Sequence, residues 1–320
     1  MQIINLLRSM GLGLDINGIK FLLYSQNQGS DFTRTAMIGR QNLGLRPSDL
    51  KRSFTQFGFS FTEKIIREIY SCGPYAERFF QSIGAKKVDS FDFSDYEGSS
   101  HVHDMNLDIP DQFNEQYSVV CDSGSLEHVF NFPMALKNCM KMVEVGGYYL
   151  GISPANNFMG HGFYQFSPEL YYSVFTPANG FELVRLIAFE DNPLAKWYSV
   201  KNPASVGGRV TMTSTKQVYL LVLAKRIAKI TPFESTPQQS DFVVAWNSKS
   251  DSGVKNLPGQ LVKQSGIETL FNKMNDKAPH WLKNIVKKLI LFHVWRAGFS
   301  AKFFQPFNPA EGIKSSKKLV

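Results

Sequence analysis

From Tyr75 to about Lys225 the chain alternates short apolar runs with helical patterns, and nothing else in it constrains the fold as strongly. Strand candidates fall at Lys87–Phe91, Ser99–His103, Tyr117–Cys121 and Tyr148–Ile152, and later at Phe181–Phe189 and Gln217–Ala224. Between them lie helical stretches at Tyr75–Ile83, capped by Gly84, at Phe132–Val143, ended by Gly146-Gly147, and from Ser167-Pro168 to about Phe175. Such alternation predicts an α/β fold, a doubly wound and mostly parallel sheet with helices on both faces. The polar, Gly- and Thr-rich segment between the last two strands reads as a long excursion.

The flanks differ in character. Ile3, Leu6 and Leu7, then Ile19, Leu22 and Leu23, recur at helical spacing and predict an N-terminal helical cap over residues 1–30. The α/β domain spans 31–226 and opens on Thr35–Ile38 as first strand, followed by helices at Pro47–Phe57 and Ser60–Tyr70. Residues 227–262, rich in Ser, Pro, Gln and Asp, read as a linker, and 263–320 as a basic amphipathic helical tail. Charge supports the division. Residues 1–226 carry 21 Lys+Arg and 21 Asp+Glu, so the whole formal +8 lies beyond 226. A pI near 9.2 therefore describes the tail, and no nucleic-acid partner is expected of the neutral body.

In an open parallel sheet, ligands sit outside the carboxyl ends of the strands. The residues there are polar at nearly every exit: Gly39-Arg40-Gln41-Asn42, Asp92, Asp104-Met105-Asn106, Asp122-Ser123-Gly124 and Ser153 through Gly162. An ionised carboxylate accepts bidentately, so Asp92 is suited to a ribose diol, and Asp104, one strand on, to an exocyclic amine of adenine. The alternative is that both merely cap turns.

Residues 117–154, YSVVCDSGSLEHVFNFPMALKNCMKMVEVGGYYLGISP, resemble the fourth-to-fifth-strand segment of class I (Rossmann-like) S-adenosylmethionine-dependent methyltransferases. Leu126-Glu127-His128-Val129 and Gly146-Gly147 stand where that family has its Leu-Glu-His-Val and its Gly-Gly turn. Val88-Asp89-Ser90-Phe91-Asp92 resembles its second strand with the ribose-binding acid, Val102-His103-Asp104 its third, and Asn179-Gly180-Phe181 its approach to the sixth. The resemblance covers about residues 33–226. It implies S-adenosylmethionine as cofactor, held by Gly39, Asp92, Asp104, Asp122, Ser123 and Glu127, and methyl transfer to oxygen or nitrogen of a small-molecule or sugar-type acceptor.

One departure stands out. The family's first loop is Gly-rich, so that backbone amides approach the cofactor, whereas this chain has Ile38-Gly39-Arg40-Gln41-Asn42-Leu43-Gly44. Between Ile38 and Lys87 lie 48 residues, about twice the usual strand-helix-strand step, which predicts an insertion, read as a lid over the site. The degenerate loop also fits a catalytically inactive, methyltransferase-like binding or assembly module.

Proton removal from an acceptor hydroxyl calls for a base near the methyl. His128 follows the fourth strand; His161 and Tyr164 lie in the Asn156–Gln165 loop after the fifth, where an acceptor would dock. These three are the candidate catalytic residues. Cys72, Cys121 and Cys139 sit at no metal-ligand spacing, and His101-x-His103 is better read as hydrogen-bonded strand ends than as a metal site. The absence of a basic leader followed by an apolar stretch predicts a cytoplasmic protein. In the tail, Trp281, Leu282, Ile285, Val286, Leu289 and Ile290 face away from Lys283, Lys287 and Lys288. This 281–296 helix could lie on an anionic membrane surface or dock on the body with its lysines solvated.

Overall fold

The computed structural model describes residues 13–248, 279, 281, 298–313 and 317–319. Its sheet is built outward from the most apolar runs. Strand β1, Arg34–Ile38, is buried from Thr35 onward, and Tyr117–Ser123 is buried over nearly its whole length. Strands covered on both faces belong in the middle of a parallel sheet. These two pair in parallel there, Thr35 opposite Val119 and Ile38 opposite Asp122. Counting in chain order, β2 is Phe59–Ser60, β3 Lys87–Asp92, β4 His101–Val102, β5 Tyr117–Ser123 and β6 Val143–Asn156. β3 pairs in parallel with β1, β4 with β3, and β6 with β5.

Past β6 the direction changes. Strands β7 (Phe181–Glu190), β8 (Trp197–Val200), β9 (Val218–Arg226) and β10 (Phe304–Phe307) all pair antiparallel with their neighbours, giving the order β10-β8-β7-β9-β6-β5-β1-β3-β4. The sheet is thus mixed with a parallel core, a correction to the mostly parallel sheet that the alternation predicts. The reason is topological: β9 enters between β6 and β7, and antiparallel neighbours need no crossover helix. The core order β4-β3-β1-β5-β6 keeps the doubly wound reversal beside β1.

Alternation along the strands divides the core in two. Met37, Val119, Cys121 and Leu150 share one cluster with residues of α1 (Ile16–Asn27), α2 (Pro47–Gln56), α3 (Glu63–Ile69) and α4 (Glu77–Ser82). Ala36, Ile38, Val120 and Tyr149 share the other with residues of α5 (Phe132–Met142) and α6 (Pro168–Val174). Helix α5 stops at Met142, so Gly146 and Gly147 fall inside β6 and do not end the helix. Arg226 takes over the termination: its guanidinium donates to the carbonyls of Met140, Lys141 and Val143.

The insertion after β1 is not a lid. Leu50, Phe54, Phe57, Ile66, Phe79 and Phe80 are buried against the sheet, with Phe54 stacked on Phe79 at 6.1 Å. Its apolar faces are spent on the core and have none left for a mobile cover. Helix α1, the described part of the expected cap, is also a layer of the domain, since Ile19, Phe21, Leu22 and Leu23 are fully buried.

Two further departures lie near the C-terminus. After the short α7 (Pro203–Val206), the stretch read as linker carries α8 (Ser240–Ser248). This helix is tied down where Asp241 meets Arg209 at 2.8 Å and Ser240 donates to the Glu169 carboxylate. Where the tail is read as helical, its described end is extended: β10 joins the main sheet, and β11 (Lys317–Lys318) pairs with β2. Of the amphipathic 281–296 helix only Trp281 is described, and it is exposed; the rest lies outside the described residues. Among the described residues no helix is long and apolar enough to cross a membrane.

Candidate active site

A cavity of about 460 Å³ opens at the carboxyl ends of β1, β3, β5 and β6, the side of a doubly wound sheet where ligands bind. Of the nine residues singled out above, Gly39, Asp92, Asp104, Ser123, Glu127, His128 and His161 line it. Asp122 and Tyr164 do not.

The β1 exit is shaped by side chains where the resemblance would have glycines. Gly39 has φ +71°, and a Cβ there would lie 2.6 Å from Ser125 Oγ, so both conformation and space require glycine. Ser125 Oγ donates to Ile38 O at 2.7 Å, and Gln41 Nε2 donates to the same carbonyl at 2.9 Å and to Ser125 Oγ at 3.2 Å. Arg40 straps the loop down: its Nε lies 2.7 Å from Glu77 Oε1, Nη1 donates to Glu97 O and Gly98 O, and the guanidinium sits 3.9 Å over the Tyr75 ring. The loop is therefore fixed in one shape that still leaves the cavity open.

Asp92 and Asp104 stand at the two neighbouring exits. One Asp92 oxygen accepts from Phe93 N at 2.7 Å, and one Asp104 oxygen accepts from Asn106 N at 2.9 Å and Asn106 Nδ2 at 2.7 Å. Each thus caps a turn with one oxygen, and among the described residues the other accepts no hydrogen bond. The turn-capping and ligand-binding readings are compatible at both positions.

Asp122 is placed differently because β5 runs on to Ser123, and the pleat turns its side chain into the core. Its Oδ1 accepts from Ser125 N at 2.9 Å and Leu126 N at 3.2 Å, and its Oδ2 from Tyr149 Oη at 3.3 Å. It holds the turn that carries Glu127 and His128. Burial, reinforced by the Glu127 carboxylate, pushes its pKa well above the usual carboxylate range. Tyr164 donates to Phe130 O at 2.6 Å and packs on Phe132 and Phe166, which fixes the loop from outside the cleft.

Glu127 is fully buried yet lines the cavity. Its Oε1 lies 3.2 Å from His161 Nε2, and the His161 ring meets His128 edge-on at 4.8 Å between centroids. Burial pushes the Glu127 pKa up, and burial together with His161 lowers that of His128. Backbone geometry holds the group together. Phe163 N donates to Glu127 O at 2.8 Å, and Gly162, at φ +65°, comes so near that a Cβ would lie 2.8 Å from that oxygen.

Sequence reasoning missed the far wall. Asp15, Asp191 and Tyr219 also line the cleft. Asp15 opens α1 by accepting from Gly18 N at 2.7 Å, and Asp191 directly follows β7. Burial raises the pKa of both aspartates, and for Asp191 the Asp15 charge adds to it. Inspecting every strand exit would have found Asp191; Asp15 carries only the signal of a helix N-cap. His101 and His103 part company: His101 packs on Phe91 and Phe113 with its Nε2 3.6 Å from Asp89, while His103 lines the cleft.

No protein-family model and no curated protein matches the chain. Solved structures similar to it include a protein of Bacillus halodurans assigned as a methyltransferase, at 13% identity over 65% of this chain and 99% of that one, TM-score 0.34. A SAM-dependent methyltransferase from Thermotoga maritima is 12% identical over 55% of this chain and 95% of its own, TM-score 0.31. The trans-methyltransferase CalH, solved with S-adenosylhomocysteine, is 12% identical over 64% and 54%, TM-score 0.34. In fold, the chain is similar to class I S-adenosylmethionine-dependent methyltransferases.

Proposed function

We propose that the protein transfers a methyl group from S-adenosylmethionine to oxygen or nitrogen of a small polar acceptor. The observation that carries this reading is the convergence on one cleft, at the carboxyl ends of a doubly wound sheet, of Gly39, Asp92, Asp104, Glu127, His128 and His161. The residues fit the cofactor: Asp92 and Asp104 each keep an oxygen free of other described groups for the ribose diol and the adenine amine, and Gly39 lines the cleft with them. A cavity of about 460 Å³ is of small-molecule size.

When bound, S-adenosylmethionine supplies an electrophilic methyl on a sulfonium. The chain's own residues align and deprotonate. Asp15, Asp191 and Glu127 make one wall acidic, which favours a positive charge in the cleft. His161, beside Glu127 Oε1, is placed to accept the acceptor's proton at a ring nitrogen, with the carboxylate orienting the imidazole and stabilising its protonated form. Fully buried Glu127 and Leu126 keep water from that side.

Titration calorimetry with S-adenosylmethionine and S-adenosylhomocysteine tests the reading. Micromolar binding, about −8 kcal/mol, supports it, and a folded chain that binds neither refutes it. The second outcome would favour an inactive binding or assembly module, for which the filled loop around Arg40 and Gln41 is the specific argument.

A further inference from the structure

We propose that Glu127, His128 and His161 bind one divalent transition-metal ion of the zinc class at the wall of the cleft. One ligand atom from each residue lies within 4.8 Å of the others. Two ligands of a tetrahedral ion with bonds of about 2.0–2.2 Å sit roughly 3.3–3.5 Å apart. Glu127 Oε1 and His161 Nε2 are already near that spacing at 3.2 Å, and His128, on the surface, offers a third ligand atom within 4.8 Å of both.

A second observation points to the same ion. Glu127 is fully buried, and among the described residues its Oε2 has no hydrogen-bond partner. A carboxylate oxygen taken from water without a partner is costly, and a cation that took the carboxylate through both oxygens, Oε2 together with Oε1, would satisfy it. The site is also held in advance. Asp122 fixes the turn bearing Glu127 and His128, and the Gly162–Phe163 backbone clamps the His161 loop onto the Glu127 carbonyl. Gly124, at φ +87°, leaves the space that a Cβ would occupy 3.3 Å from Glu127 Oε1.

Two imidazoles and one carboxylate suit zinc, cobalt or iron in their divalent states better than calcium or magnesium. Three protein ligands leave a coordination position open, the pattern of a reactive site and not of a structural one. All three residues line the cavity, where an oxygen or nitrogen of a bound molecule would complete the shell. With the ion bound, His161 is a ligand and not a free base. Its test is separate from that of the methyl-transfer reading, because metal binding is measured without S-adenosylmethionine, but the two give His161 different roles, ligand with the ion bound and base without it.

The test uses tag-free full-length protein stripped with a chelator, titrated with Zn²⁺ in competition with a chromophoric chelator and with Co²⁺ followed by visible absorption. One equivalent should bind, with Co²⁺ bands of a four- or five-coordinate site. Glu127→Gln, His128→Asn and His161→Asn should each weaken Zn²⁺ by more than the roughly 10–100-fold that loss of a merely supporting partner costs. His103→Gln, elsewhere in the cleft, should leave affinity unchanged. The two histidines are at the surface or half-buried, so their variants keep the test valid even if the Glu127 variant fails to fold. Unaltered Zn²⁺ affinity in the His128→Asn/His161→Asn double variant, or no saturable binding by the wild type, overturns the proposal.

Discussion

Replacing Gly39 by alanine probes the shape of the first loop directly. The backbone there is at φ +71°, a conformation that costs an L-residue about 1–2 kcal/mol. The new Cβ would also lie 2.6 Å from Ser125 Oγ and 3.2 Å from Gln41 Nε2. Ser125 Oγ must move, and its bond to Ile38 O goes with it at about 0.5–1.5 kcal/mol. Together, G39A should cost about 1.5–3.5 kcal/mol in urea unfolding. Ser125→Ala alone loses the hydrogen bond, about 1 kcal/mol. In the double variant the clash is gone and the bond is lost only once, so its cost should fall about 1 kcal/mol below the sum of the singles. S-adenosylmethionine affinity, followed by calorimetry, should drop with G39A and partly return in the double variant. Strict additivity of the two substitutions would refute the argument that Gly39 exists to accommodate Ser125.

Three further outcomes are expected. Asp92→Ala should weaken S-adenosylmethionine binding by about 1.5–3 kcal/mol, more than tenfold, through loss of charge-assisted hydrogen bonds; unchanged calorimetric affinity would remove Asp92 from the ribose assignment. Phe79→Ala should cost about 3–5 kcal/mol of stability, since the ring is fully buried and stacked on Phe54; a loss below about 1 kcal/mol would mean that the insertion is not part of the core. Burial raises the Asp15 pKa above its unfolded value near 3.9, so the folded state keeps this proton to higher pH than the unfolded chain does, and stability falls as pH climbs through the folded value. Asp15→Asn, still able to accept from Gly18 N, lacks that loss, so its Tm relative to wild type should rise between pH 4 and 7; a constant difference contradicts the assignment.

Much of the fold was legible because apolar runs and turn residues act locally. The strands at 87–92, 117–123 and 181–190 and the helices opened by Pro47 and Pro168 follow from patterns a few residues long. β8, Trp197-Tyr198-Ser199-Val200, was not legible: its residues suit a strand, but four of them are too few to show a period, and pairing with β7 and β10 decides them. β10 lies some 100 residues from its partner, and no local pattern announces such a pairing. The buried faces of 47–80 read as amphipathic helices in either role, lid or core, and only their contact with the sheet decides between them.

The same division runs through the site. The sequence by itself determined that polar residues would crowd the strand exits, because a strand entering a loop meets solvent there, and so Asp92, Asp104, Glu127, His128 and His161 could be named. Only the tertiary structure decided that Asp122 points into the core, since β5 runs two residues past the expected Cys121 and its pleat sets Asp122 on the same face as Val120. It also brought Asp15 and Asp191, 176 positions apart in sequence, to one wall, and pressed His161 against the buried Glu127 carboxylate. Those meetings depend on how loops from distant strands pack together, and that is a property of the assembled sheet and not of any segment within it.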